Sequence, residues 1–88
     1  MAASKQTQDQ MLQHLLDLLP ALDITVRHEE VEGSAGGLYL LKGKRFLLLS
    51  KNRPVNEKID LLAEVLQKED LSGVYVLPAI RELLGQGG

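Results

Sequence analysis

The amino-acid sequence predicts a small α+β domain, in which a three-stranded antiparallel meander packs against helices. A hairpin pattern occupies residues 36–52, and apolar residues recur at helical spacing on both sides of it. A third segment, residues 23–29, alternates apolar and polar residues as a half-buried strand does. The predicted order is therefore one helix, three strands, a second helix, a short extended segment and a C-terminal helix.

The composition limits the size and class of the protein. Its 88 residues are 44% hydrophobic and 25% charged, which is typical of one small soluble domain. The net charge of -2 provides no general attraction to nucleic acid or to acidic membranes. We expect a single cytoplasmic domain over residues 7–84, flexible ends at residues 1–6 and 85–88, and no segment that enters a membrane.

The first helix is predicted from about residue 7 to Pro20. Thr7 and Gln10 have the spacing of a capping box, and Pro20 ends the helical pattern. The apolar residues between these limits form one broad stripe, which consists of Met11, Leu12, Leu15, Leu16, Leu18, Leu19 and Leu22. We expect this stripe to pack in the core, because it is too short for a coiled coil.

The hairpin is predicted to turn at Lys42-Gly43, because a two-residue turn requires positive φ and glycine adopts it without strain. The expected cross-strand pairs are Leu41 with Lys44, Leu40 with Arg45, Tyr39 with Phe46, and Leu38 with Leu47. A bulge at Gly43 is the alternative, and it would shift the pairing by one residue. Both faces of the hairpin are apolar in either register, so both need a cover.

The strand before the hairpin is polar on one side only. Ile24 and Val26 are predicted to point inward, with Thr25, Arg27 and Glu29 outward. If the helices cover the inward side alone, the opposite face of the hairpin is left as an apolar patch with a polar rim, which is typical of a partner surface. Helices on both faces are the alternative. The candidate interface residues are Leu38, Tyr39, Leu40, Leu41, Phe46, Leu47, Leu48 and Leu49.

Two more helices are predicted after the hairpin. The first begins at Pro54 or is capped by Asn56, ends near Glu69, and has an apolar stripe of Val55, Ile59, Leu62, Ala63 and Leu66 extended by Leu61 and Val65. The second spans residues 78–84, with Pro78 at its start and Gly85 beyond its end. Residues 74–77 are β-prone, and whether they join the sheet is open at this point.

Basic residues are concentrated in residues 42–58. The candidates for binding an anion or nucleic acid are Lys42, Lys44, Arg45, Lys51 and Arg53. The first three lie at the predicted turn and the last two at the far end of a strand, ~20 Å away at ~3.3 Å per residue. We therefore expect Glu29, Glu30 and Glu32 to compensate the charges of Lys51 and Arg53 locally, rather than one basic patch.

No residue set has the pattern of a catalytic, cofactor or metal site. His28-Glu29 begins like the zinc motif H-E-x-x-H, but Glu32 stands where the second histidine belongs. The glycine-rich residues 33–37 lead into a strand, whereas a phosphate-binding loop leads into a helix. The chain has no cysteine, so disulfides and thiolate ligands are excluded.

These observations favour a non-catalytic protein-interaction or self-association domain. The partner is expected to be a second copy, as a homodimer, or another protein. A nucleic-acid or anion-binding module that uses the basic hairpin is the alternative. The chain also ends in Gly87-Gly88, which resembles the end of small ubiquitin-like sulfur and protein-conjugation carriers. The order of elements in those carriers, a hairpin first and a strand last, differs from the order predicted for this chain.

Overall fold

The fold was obtained as a computed structural model, which describes residues 2–85, with side chains from residue 8 onward. Its elements confirm the α+β class and the predicted order. They are α1 (Ala2–Leu18), a 3-10 turn (Pro20–Leu22), β1 (Ile24–Glu29), β2 (Gly36–Leu41), β3 (Lys44–Ser50), α2 (Val55–Gln67) and α3 (Pro78–Leu84). None of the helices in residues 2–85 combines the length and apolar character needed to cross a membrane.

The hairpin has the predicted register. Leu41 pairs with Lys44, Tyr39 with Phe46, and Leu38 with Leu47. Lys42 and Gly43 have φ values of 52° and 79°, so both turn residues are in the left-handed region that a type I′ turn requires. The turn is therefore the two-residue form, without a bulge.

The expected antiparallel meander is wrong in one respect, because the sheet is mixed. Its strand order is β1-β3-β2, with β1 parallel to β3. Residues 30–35 cross the end of β3 instead of turning back beside β1. There the Ser50 N–H donates to the Ala35 carbonyl (2.8 Å) and the Lys51 N–H donates to the Glu29 carbonyl (2.9 Å). The strand β3 thereby takes the central position, where its backbone is paired on both sides.

The helices pack on one side of the sheet. Ile24 of β1 and Leu47 of β3 belong to the same buried cluster as the helix side chains. The predicted apolar stripes of α1 and α2 belong to this cluster, and Leu15, Leu62 and Leu66 of these stripes are fully buried. The molecule therefore has two layers, one of helices and one of sheet, with a single core between them.

Three local expectations are corrected by the structure. The first helix begins at Ala2, so Thr7 is not its N-cap, because the residues before Thr7 include good helix formers that let the helix continue. Pro54 is the N-cap of α2, in extended conformation, and not its first helical residue. Residues 74–77 form no strand, since Val76 packs into the core instead. Gly87 and Gly88 lie outside the described residues.

Candidate interaction surface

The sheet has two faces with different surroundings. We call the face packed against the helices the helix-side face and the opposite one the open face. Alternation along the strands and the observed register assign each side chain to one of them. The helix-side face carries Ile24, Val26, Leu38, Leu40, Arg45, Leu47 and Leu49, and the open face carries Thr25, Arg27, Tyr39, Leu41, Lys44, Phe46 and Leu48.

The eight candidate interface residues are divided between these faces. Leu47 and Leu49 are buried, with 0% and 1% of their surface exposed, so they are not available to a partner. Tyr39, Phe46 and Leu48 are partly buried and Leu41 is exposed, all on the open face. Leu38 and Leu40 point to the helix side but lie at the edge of the sheet, where α2 leaves them 39% and 67% exposed.

An aromatic pair lies at the centre of the open face. The rings of Tyr39 and Phe46 are stacked, with centroids 5.5 Å apart and planes inclined by 18°. Neither these rings nor Leu48 belong to the buried cluster that the helices form with the sheet. We call Tyr39, Leu41, Phe46 and Leu48 the open-face patch.

Polar and charged residues border the open-face patch. Lys44 is exposed at one end of β3, next to Leu41. Toward the other end of the sheet, Arg27 and Glu29 form an ion pair of 3.2 Å in which each side chain is 50% exposed. An exposed pair of this kind contributes only about 0–1 kcal/mol to stability. Its role here is to give the apolar patch a charged border.

The second exposed feature is β2 itself, which is an edge strand. Its six residues, GGLYLL, include no charged residue and no proline, which are the usual protections of a sheet edge. The Ser50 N–H donates to the Ala35 carbonyl, so Ala35 and Ser50 form a hydrogen-bonded pair at the start of the ladder. Hydrogen-bonded pairs occur at every second residue of an antiparallel ladder. Gly37, Tyr39 and Leu41 therefore direct their backbone groups toward β3. The backbone N–H and C=O groups of Leu38 and Leu40 therefore point away from the sheet.

A shallow groove lies between β2 and α2. Its floor is apolar and includes Leu38, Leu61 and Val65. Glu64, Lys68 and Glu69 line the same groove, so its border carries charges of both signs. The groove and the β2 edge lie side by side, and a strand added to that edge would place side chains over the groove.

Sequence reasoning missed the edge position of β2. In the expected meander, β2 would be the central strand, with both of its edges paired. One signal in the sequence favoured the actual order. β2 begins with two glycines, which are poor residues for a central strand.

The five basic candidates are not brought together. Arg45 donates to both carboxylate oxygens of Glu69 (2.8 and 2.9 Å) and to the Leu22 carbonyl (2.7 Å). Arg53 lies near Glu57 at 3.6 Å, and Glu57 is on α2 rather than in the acidic segment expected to compensate it. Lys42 and Lys44 flank the turn, and Lys51 follows the opposite end of β3. The geometry therefore gives local charge pairing at each end of the hairpin.

Titratable groups do not form a reactive cluster in the part of the chain that the structure describes. No three His, Asp or Glu side chains among these residues are placed to hold a metal ion. The pKa of the exposed Asp70 is lowered, chiefly by the Ser72 backbone N–H, which donates to its carboxylate at 3.0 Å, and also by the Ser72 side chain. This arrangement stabilises the turn after α2.

Comparisons with models of known protein families, with curated proteins and with solved structures found no match.

Proposed function

We propose that this chain is a non-catalytic self-association domain, and that β2 with the adjoining open-face patch forms its contact surface. One observation carries the proposal. Among the described residues, three of the six exposed large hydrophobic side chains are in β2, namely Leu38, Leu40 and Leu41. Exposed apolar side chains are thus concentrated on one short strand, and a concentration of this kind is typical of a contact site.

The energetics favour a partner at this position. Complete burial of one leucine contributes about 1.5–3 kcal/mol relative to its exposed state. Leu40 is 67% exposed in the isolated chain, so most of that free energy is still to be gained. Leu38 and Leu41 add smaller amounts because they are already about half buried. An 88-residue chain has a small core of its own, and a partner at this edge would extend it.

A second copy is the partner that the strand fits best. In a twofold dimer, the same strand of each copy meets the other in opposite direction, so the surface has to complement itself. An uncharged strand with leucines at both Leu38 and Leu40 meets this requirement without bringing like charges together.

Sedimentation equilibrium tests the proposal. We expect the wild-type chain to form a reversible dimer at micromolar concentration, and the variant Leu40→Lys to dissociate at least tenfold more readily, because its charge would be desolvated in the contact. Leu83→Lys is the matched control, since Leu83 is an exposed leucine on α3, away from the sheet, and should leave the dimer unchanged. A wild-type chain that remains monomeric at millimolar concentration would refute self-association.

A further inference from the structure

We infer that two copies pair antiparallel through their β2 edges, with Tyr39 of each copy at the twofold axis, so that their sheets join into one six-stranded sheet. This inference rests on the proposed self-association and specifies its geometry. The strand order of the dimer would be β1-β3-β2 in one copy followed by β2-β3-β1 in the other.

The backbone provides the first argument. Leu38 and Leu40 are two residues apart, and both direct their N–H and C=O groups away from β3. An antiparallel copy placed with its Leu40 opposite Leu38 also has its Leu38 opposite Leu40. Each of these pairs then exchanges both of its backbone hydrogen bonds. The unpaired ladder groups of the edge are thereby satisfied by the same groups of the other copy.

The helix-side face provides the second argument. In this register, Leu38 of one copy lies beside Leu40 of the other, so the two most exposed side chains on this face of the strand cover each other. Leu40 of the second copy would also lie over the groove between β2 and α2, whose floor includes Leu61 and Val65. Glu64 and Lys68, which have opposite charges, border that groove. Because the border carries both signs of charge, the same border of a second copy can meet it with unlike charges facing each other.

The open face provides the third argument. Tyr39 of one copy stands directly opposite Tyr39 of the other as a non-hydrogen-bonded pair, whose Cα atoms are ~4.5 Å apart in such ladders. Tyr39 is already stacked on Phe46 within each copy. The two stacks would therefore join into one row of four rings across the dimer. Aromatic residues in opposite positions on neighbouring strands stabilise a sheet.

The position of the turn limits the register. With Tyr39 at the axis, Gly37 pairs with Leu41 of the other copy, and residues 37–41 of both copies lie within the new ladder. A register centred on Leu41 would extend the pairing beyond the turn at Lys42-Gly43, where the chain reverses. The register centred on Tyr39 therefore gives a longer ladder than that one. A register centred on Leu38 would give a ladder of equal length, residues 36–40, but it would place Leu40 opposite Gly36 instead of Leu38.

Disulfide trapping tests this geometry directly, because the natural chain has no cysteine. In the variant Tyr39→Cys, the two thiols would face each other at a separation that a disulfide can bridge. We expect oxidation to convert most of this variant into a covalent dimer. Leu41→Cys and Leu48→Cys are controls on the same face. In either control, the Cα atom of the cysteine would be more than ~10 Å from the Cα atom of the same cysteine in the other copy, counted at ~3.3 Å per residue and ~4.8 Å per strand. Both should link at least tenfold less.

A second measurement uses the wild-type chain. In an equimolar mixture of carbon-13-labelled and unlabelled protein, we expect an intermolecular nuclear Overhauser effect between the Hα atoms of Gly37 and Leu41. A dimer in sedimentation that lacks this signal, or that links through Leu48→Cys as readily as through Tyr39→Cys, would overturn the edge geometry while leaving self-association intact. A monomer in sedimentation would refute both proposals.

Discussion

Leu47 and Leu48 are neighbours on β3 with the same side chain, yet they lie in opposite environments. Leu47 is completely buried in the cluster between the sheet and the helices, whereas Leu48 is partly exposed on the open face and lies outside that cluster. The difference shows that this chain builds one full core and leaves the second apolar face of its hairpin without a helix. The helices in residues 2–85 contribute their apolar stripes to the cluster on one face of the sheet.

The largest expected effect tests this contrast at the two leucines themselves. We expect Leu47→Ala to lower the free energy of unfolding by about 2–5 kcal/mol, because it leaves a cavity in the core. The matched variant Leu48→Ala should cost less than about 1 kcal/mol, because water can fill the space that the side chain leaves. Urea unfolding at a concentration where the chain is monomeric measures both. Equal losses would show that the open face is as well covered as the helix side.

The two glycines that begin β2 sharpen the comparison. Gly36 has φ of 126°, and a Cβ atom added there would overlap the Leu48 carbonyl oxygen, whereas a Cβ atom at Gly37 meets open space. We expect Gly36→Ala to cost about 2–3 kcal/mol, from backbone strain and the forced displacement of β3. This loss corresponds to a fall in Tm of about 10–20 °C for a domain of this size.

Gly37→Ala is the control for that substitution, because residue 37 points to the open face, where nothing stands over it. Its Tm should stay within a few degrees of the wild-type value, since surface substitutions are usually within about 0.5 kcal/mol. A large loss at Gly37 would mean that the open face is closed over the glycine, and it would contradict the two-layer architecture.

Local patterns in the sequence were sufficient to predict the elements and the hairpin. The spacing of leucines defined the buried stripes of α1 and α2, and Lys42-Gly43 between two apolar runs defined both the turn and the register. These features depend on residues that are close in the chain. Their physical causes, the helical period and the positive φ of a tight turn, act locally.

The strand order could not be derived in the same way, because it depends on where residues 30–35 cross. A connection of six residues is long enough either to turn back beside β1 or to pass over the end of β3, and both paths leave the same local pattern. The order decides which strand has a free edge. The exposed backbone of Leu38 and Leu40 was therefore visible only once the three strands were assembled.

Arg45 and Lys44 are charged neighbours on β3 that lie on opposite faces of the sheet. The expected difference in the free energy of unfolding between their alanine variants is the smallest of the three comparisons. Arg45 lies on the helix-side face, where it links Glu69, in the turn that follows α2, to the Leu22 carbonyl before β1. The Glu69 side chain is only 15% exposed, so removal of its partner leaves a partly desolvated carboxylate. We expect Arg45→Ala to cost about 1–2 kcal/mol, toward the lower end of the ~1.5–3 kcal/mol typical of hydrogen bonds to charged groups, because the Arg45 side chain is 36% exposed to water.

Lys44→Ala is the control, because Lys44 is exposed on the open face, and it should change the free energy of unfolding by less than about 0.5 kcal/mol. The double variant Arg45→Ala with Glu69→Ala separates the ion pair from the lost packing of the arginine stem. If the pair is responsible, the double variant should be less destabilised than the sum of the two single variants. Additive losses would assign the cost to the packing of the arginine stem. Equal losses for Arg45→Ala and Lys44→Ala would mean that a charged side chain contributes equally to stability on the two faces of the sheet.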